Sequence, residues 1–189
     1  MKFDKKYLRS RFLLQRKKRY LITGKFKFNL LFKLIKKQFK NKKIIIGGYY
    51  PSNYEVNILN FLKEASKKKF KIALPVVQSF SKMCFRSWIV KEPLYVSKFG
   101  ILEPTNRKKK IIPDLVLVPL VAFDNKLNRI GYGKGYYDRY LRKVAKIKNK
   151  AIFLGIAYSF QKCKSIPINK HDFKLHYIFT ERGIISSNK

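Results

Sequence analysis

Acidic residues are scarce in this chain. Ten Asp and Glu stand against 45 Lys and Arg in 189 residues, so a metal centre or a catalytic carboxylate has few places to be. Two cysteines, Cys84 and Cys163, give no disulfide framework and suit a reducing compartment. With His171 and His176 they match no standard zinc spacing. The lone tryptophan, Trp88, reads as core more readily than as a platform for a flat ligand. No apolar run approaches the roughly 18 residues of a membrane span, so the expectation is a cytoplasmic chain with no membrane partner. Apolar residues themselves are plentiful. A 46% hydrophobic and 15% aromatic content excludes a disordered chain. The length suits one domain, residues 1–189, expected as a monomer.

The formal charge of +35 admits two readings. Basic surfaces bind polyanions through counterion release, so non-specific polyanion contact, or a nucleic-acid-binding protein, is one. Yet the excess is spread along the whole chain and comes with many Asn, Ile, Phe and Tyr, whose codons are A/T-rich. Compositional bias on a solvated surface is the simpler account, and beyond about 8 Å such charges are largely screened at physiological salt.

Residues Leu115 to Leu141 organise the rest. Leu115 to Val118 is an unbroken apolar run and reads as a buried strand, which Pro119 ends because proline cannot donate to the ladder. Asp124-Asn125 signals a turn. Arg129 and a loop alternating Gly131, Gly133 and Gly135 with Tyr132, Lys134 and Tyr136 come next, and Tyr137, Tyr140, Leu141 and Val144 then share a helix face. Strand, glycine-rich loop and helix can cradle phosphate on backbone N–H groups, with Lys134 and Arg129 adding charge. The same spacing fits a plain tight turn, and it is neither the P-loop nor the dinucleotide fingerprint. Asp138, in the helix's first turn, either meets a metal or another cation or serves the helix dipole.

Elsewhere, Asp4 to Lys18 reads as a basic helix with Leu8, Phe12 and Gln15 in line, and Lys5 and Arg9 on one face could grip one anion. Phe26 to Ile35 keeps helical spacing. Strands are expected at Lys43–Gly48, Lys71–Val77, Met83–Val90, Ala151–Ala157 and Tyr177–Thr180. A third helix buries Ile58, Phe61, Leu62 and Ala65, and Ser52-x-x-Glu55 before it has the form of a capping box. Lys91 to Lys110 is irregular and could cover a site. Its basic end, Arg107 to Lys110, reads as a solvated loop, and Ser186 to Lys189 as a frayed tail. Strands alternating with helices, several uniformly apolar, predict a three-layer αβα fold with a mostly parallel central sheet. Ligands then bind beyond the carboxyl ends of the strands.

The segment Pro119, Phe123-Asp124, Arg129-Ile130-Gly131-Tyr132-Gly133-Lys134-Gly135-Tyr136-Tyr137-Asp138-Arg139 resembles the signature of the 5-formyltetrahydrofolate cyclo-ligase (methenyltetrahydrofolate synthetase) family. Weaker echoes run from Lys5 with Leu8-Arg9, through Tyr49 to Glu55, Ala73 to Val76 and Glu103-Pro104, to Asp172–Thr180. The resemblance implies a ligase that uses ATP and Mg2+ to close 5-formyltetrahydrofolate into 5,10-methenyltetrahydrofolate. It implies ATP contacts at Lys5, Arg9 and residues 129–137 (Arg129, Ile130, Gly131, Tyr132, Gly133, Lys134, Gly135, Tyr136, Tyr137), with Lys134 and Arg129 acting on the transferred phosphoryl group. Folate contacts fall at Tyr50, Glu55, Tyr132, Gly133, Lys134, Gly135 and Tyr136. Glu55 would accept two hydrogen bonds from the amino-pyrimidine edge. Asp138 and Asp172 would hold magnesium, although His176 stands where the family often has a second acid. The family's usual acid and threonine after the glutamate are absent, since Asn57 and Ile58 follow. The rival readings are a nucleic-acid-binding protein with lost activity, and another α/β enzyme such as a sugar-phosphate isomerase or acyl-CoA transferase.

Overall fold

Strands apolar on both faces need cover on both faces, and that requirement sets the architecture. The computed structural model describes residues 4–22, 24–40, 42–78 and 82–187. In chain order its principal elements are helix α1 (Lys5–Arg19), helix α2 (Asn29–Phe39), strand β1 (Ile45–Gly47), helix α3 (Leu59–Lys67), and strands β2 (Lys71–Val77), β3 (Met83–Ser87), β4 (Tyr95–Val96), β5 (Leu102–Glu103), β6 (Lys110–Ile111), β7 (Leu115–Pro119), β8 (Ala122–Phe123) and β9 (Arg129–Ile130). Helix α4 (Tyr136–Ile147) and strands β10 (Ile152–Ile156), β11 (Tyr177–Thr180) and β12 (Gly183–Ser186) complete it.

One sheet has the order β12-β11-β10-β7-β1-β2-β3-β6. Its five central strands, β11 to β2, run parallel, and β12, β3 and β6 pair antiparallel at the two margins. The expected mostly parallel sheet is therefore present. Alternate side chains of the same strands feed opposite layers. Ile46, Ile72, Leu74, Leu115, Leu117 and Leu154 meet Leu31 and Ile35 of α2 and Phe61, Leu62 and Ala65 of α3. Val116, Val118, Phe153 and Ile178 meet Tyr140, Leu141 and Val144 of α4. Each fully buried aliphatic side chain contributes roughly 1.5–3 kcal/mol. Trp88 lies in the first of these layers, as core, and its indole N–H donates to the Glu92 carbonyl at 3.2 Å.

After β1 the chain steps to β2 on one side, and β7 lies on the other. The direction of winding reverses there, and the crevice beyond the strand ends at such a switch point is where open α/β sheets take ligands. Helix α1, capped by the Asp4 carboxylate at the Tyr7 N–H, packs Leu8 and Phe12 on Val121, Ala122 and Ile130 of the β8–β9 hairpin. That hairpin fills the interval between β7 and the glycine loop, where the sequence showed only the Asp124-Asn125 turn. The Asp124 carboxylate accepts from the Lys126 and Asn128 N–H groups and tightens the reversal between two-residue strands too short to leave a periodic pattern. The frayed tail needs correction, because Ser186 pairs with Tyr177 in β12. Asn188 and Lys189 lie outside the described residues.

Candidate active site

A cleft of about 940 Å³ opens at the switch point. Its walls come from the β1 turn (Tyr50, Glu55), the glycine loop, the start of α4, the α1 face carrying Lys5 and Arg9, and Asp172. Every residue the sequence offered as a site candidate lines this one cleft.

Glu55 lies in the turn after β1, not at a helix start. Ser52 and Glu55 do bond reciprocally: the Ser52 N–H donates to Glu55 Oε2 at 2.9 Å, and the Glu55 N–H to the Ser52 carbonyl at 2.9 Å. Yet α3 begins only at Leu59, whose N–H is taken by the Asn57 side chain at 3.0 Å. The capping-box form thus closes a turn and fixes a carboxylate in the cleft. Tyr132 reaches across from the glycine loop and donates to Glu55 Oε1 at 2.7 Å. Burial raises the Glu55 pKa, opposed by the hydrogen bonds from Ser52 and Tyr132 and by the charge of Arg16.

At the other end, Gly133 (φ +99°) and Gly135 (φ +65°) adopt left-handed backbone that side-chain-bearing residues rarely take, and Gly135 leads into α4. Arg9 lies against the loop, its Nε donating to the Gly131 carbonyl at 2.8 Å. A Cβ on Gly133 would stand 3.3 Å from the Arg9 guanidinium carbon. Lys134 is exposed, with its ammonium 4.1 Å from the centroid of the Phe99 ring. The hydroxyls of Tyr136 and Tyr137 are buried without a hydrogen-bond partner among the described residues. Polar atoms left so in a cleft are ready for a ligand or water.

Arg129 and Asp138 meet each other. The Arg129 side chain is 3% exposed, and its Nη2 donates to Asp138 Oδ1 at 2.7 Å. Of the alternatives open for Asp138, the structure has another cation beside it. Lys5 pairs with Asp172 in the same way. Asp138 Oδ1 also accepts from the Phe173 N–H at 3.2 Å, and Asp172 Oδ2 from the Asn169 N–H at 2.6 Å. Each carboxylate keeps a second oxygen with no partner among the described residues. His176 is no third ligand: its Nδ1 accepts the Phe153 N–H at 3.0 Å and its ring stacks on Phe153. Among the described residues no three His, Cys, Asp or Glu side chains gather into a metal-sized cluster. Cys163 sits apart from His171 and His176, its thiol against the Phe123 carbonyl and its pKa pushed up to about 11, chiefly by burial.

The stretch Lys91–Lys110, expected as able to cover a site, does reach the cleft, and the structure singles out residues within it and beyond it that the sequence had not. Phe99, Gly100, Ile101 and Glu103, on and around the β4–β5 hairpin, form one wall. Glu103 is 7% exposed, accepts from the Val77 N–H at 3.2 Å, and has a pKa raised by burial. Arg16 is 1% exposed and stands behind Tyr132. The spacing Leu8, Phe12, Arg16 carried its signal, because a charged residue at the third position of an apolar stripe is out of place unless something inside pairs with it.

Fold and cleft define an open α/β protein whose main cleft, at the switch point, spans a fixed carboxylate and a glycine-rich loop. The comparisons narrow that class. The model of the 5-formyltetrahydrofolate cyclo-ligase family matches residues 1–181, and the chain belongs to that family. A 5-formyltetrahydrofolate cyclo-ligase of Haemophilus influenzae is 31% identical over 137 residues, 69% of this chain and 72% of that protein. One from Mycoplasma pneumoniae is 35% identical over 62% of this chain and 61% of its own. The solved 5,10-methenyltetrahydrofolate synthetase of Aquifex aeolicus superimposes with a TM-score of 0.74 at 28% identity, covering 98% of this chain and 93% of that one. The M. pneumoniae synthetase gives 0.70 at 26%, covering 95% and 99%.

Proposed function

We propose that the protein is a 5-formyltetrahydrofolate cyclo-ligase, converting 5-formyltetrahydrofolate and ATP into 5,10-methenyltetrahydrofolate, ADP and phosphate. The observation that carries this reading is that Glu55 and the Gly131–Gly135 loop, distant in sequence, face one cleft and are bridged by the Tyr132–Glu55 hydrogen bond. Glu55 accepts hydrogen bonds from the amino-pyrimidine edge of the folate, beside Tyr50. The loop amides, Arg9 and Lys134 receive the nucleotide phosphates.

The substrate supplies both nucleophiles, so the protein's work is positioning and charge neutralisation. The formyl oxygen attacks the γ-phosphorus, an O–P bond forms and ADP leaves. N10 then attacks the formyl carbon and gives up its proton to water, and the phosphorylated oxygen departs as phosphate. Lys134 and the loop N–H groups stabilise the oxygens of the phosphoryl group in flight. Arg129 acts on the same group while oriented by Asp138. Magnesium, when bound with the nucleotide, supplies further charge on the phosphoryl oxygens. The unengaged oxygens of Asp138 and Asp172 fit it, since magnesium takes oxygen donors and commonly uses one or two carboxylates with phosphates and water.

We further propose that it acts as a monomeric single domain in the cytoplasm, with polyanion contact confined to non-specific surface attraction. No helix among the described residues is long and apolar enough to cross a membrane. The test is optical. The purified protein with 5-formyltetrahydrofolate, magnesium and ATP should develop the near-ultraviolet band of methenyltetrahydrofolate, and omission of ATP should abolish it. A folded protein that binds ATP but never develops the band would refute the substrate assignment.

A further inference from the structure

Arg16 belongs to none of the groups so far given a part in the reaction, yet it is the most completely buried cation among the described residues, 1% exposed. It reaches from α1 under the cleft. Its Nη1 donates to the Leu120 carbonyl at 3.2 Å and its Nη2 to the Tyr132 hydroxyl at 2.5 Å. Its guanidinium carbon lies 5.6 Å from the Tyr132 ring centroid. Tyr132 spends its own proton on Glu55 Oε1. With the guanidinium donating to it, the hydroxyl can act only as a donor toward the carboxylate, so one hydrogen-bond direction is fixed along the chain. A buried guanidinium is costly unless its charge is answered, and the charge that answers it here is Glu55, one hydroxyl away.

We propose that Arg16 is a positioning residue for folate binding, holding the Glu55 carboxylate, through Tyr132, in the orientation that the amino-pyrimidine edge requires. This rests on the functional reading above, in which Glu55 is the carboxylate that meets the substrate. It also gives the glycine loop a second duty, because the loop that receives phosphate carries the hydroxyl that sets the folate carboxylate. The other titratable groups facing Glu55 are the hydroxyls of Tyr49, from the β1 turn, and Tyr137, from α4. Both are neutral near pH 7, so Arg16 is the positive charge that, with the hydrogen bonds from Ser52 and Tyr132, works against the larger upward effect of burial on the Glu55 pKa.

Tyr132→Phe deletes a single oxygen and leaves the ring beneath the guanidinium, and Arg16→Gln removes the other end of the chain. In each, the Glu55 carboxyl, followed by carbon-13 NMR of the unliganded protein and identified by its absence in Glu55→Gln, should titrate at higher pH than in the wild type. The KM for 5-formyltetrahydrofolate should rise about tenfold while that for ATP stays within about twofold, since both changes leave the loop amides, Arg9 and Lys134 in place for the phosphates. The acid limb of kcat/KM for the folate should move to higher pH. The double variant should be no worse than Tyr132→Phe, because both changes break one chain. An unmoved Glu55 titration in Tyr132→Phe, or equal increases in both KM values, would overturn the proposal. Should Arg16→Gln not fold, Tyr132→Phe decides alone. A wild-type protein that folds but does not cyclise counts against the functional reading, and the Glu55 titration still decides the relay.

Discussion

Six basic side chains, Lys5, Arg9, Arg129, Lys134, Arg139 and Arg142, line the cleft beside four acids, Glu55, Glu103, Asp138 and Asp172, whereas the whole chain carries 45 basic residues and only ten acids. Charge is thus close to balanced where the ligand goes and lopsided on the outer surface. Inside, two acids have salt-bridge partners, and a third is held by a serine and a tyrosine. Outside, most lysines lie on exposed helix faces and loops. The difference is one of dielectric. In a partly dehydrated cleft each pairing is worth several times its value in water, so a missing partner is costly. On the surface, screening makes an extra lysine nearly neutral. A basic drift of composition can therefore accumulate on the outside with little consequence, and the net charge says little about the chemistry.

The cleft should respond to single changes far more than the surface does, and Lys134 gives the largest contrast. Lys134→Ala is expected to lower kcat about 100-fold or more, the range for removing one transition-state donor, with an unchanged thermal midpoint because the side chain is exposed and lies against the Phe99 ring face. Rate by the methenyl band and melting by circular dichroism check it; an unchanged rate removes Lys134 from the mechanism. Glu55→Gln comes next. It keeps shape but loses the charge, so the KM for 5-formyltetrahydrofolate should rise roughly 10- to 100-fold, with the KM for ATP little altered. Parallel increases in both constants would mean that the two ends of the cleft are not separate sites.

Much of this was legible in the sequence, for reasons that can be traced to particular residues. The parallel core showed because Leu115–Val118 and Ile152–Ile156 are apolar on both faces, and β2 and β11 fell where the pattern put them. The glycine loop and Glu55 were found because the motif is contiguous and a turn after a buried strand has only one edge to occupy. Arg16 was hidden by abundance, one cation among 45, and only its line with Leu8 and Phe12 marks it. Phe99, in the turn of the β4–β5 hairpin, and Glu103, in a two-residue strand, come from a segment with no periodicity. The β8–β9 hairpin is too small for any pattern, and its geometry is written in the Asp124 carboxylate instead. The pairing of Arg129 with Asp138 follows from three-dimensional proximity alone, so the sequence left Asp138 a metal, another cation or the helix dipole without choosing among them.

His176 probes the border between the two regions. It accepts the Phe153 N–H through Nδ1, which only the neutral ring can do, and burial lowers its pKa below the ordinary 6.5. The unfolded chain therefore binds a proton first as pH falls. Stability should be complete above about pH 7 and decline as pH drops through 6.5 toward the lower folded value. The loss should stay below about 1 kcal/mol because the ring is partly open to water. Urea midpoints measured from pH 7.5 to 5 should slope more steeply in the wild type than in His176→Asn, which can accept the same bond without titrating. Equal slopes would assign the acid sensitivity to the carboxylates.

The smallest effect is the one that sharpens the comparison most. Lys63 and Lys143 stand exposed on α3 and α4, on opposite layers of the sheet. Changing both to Gln should shift stability by no more than about 0.5 kcal/mol and leave kcat and both KM values unchanged at physiological salt, where the screening length is about 8 Å. At about 0.01 M salt that length grows to about 30 Å, comparable to the size of the domain, and the outer lysines should begin to assist an anionic substrate. A modest rise in the KM for ATP in the double variant, seen only at low salt, is then expected. A rise that persists at physiological salt would mean that the surface and the cleft are not electrostatically separate, and that the basic excess has a part in the chemistry after all.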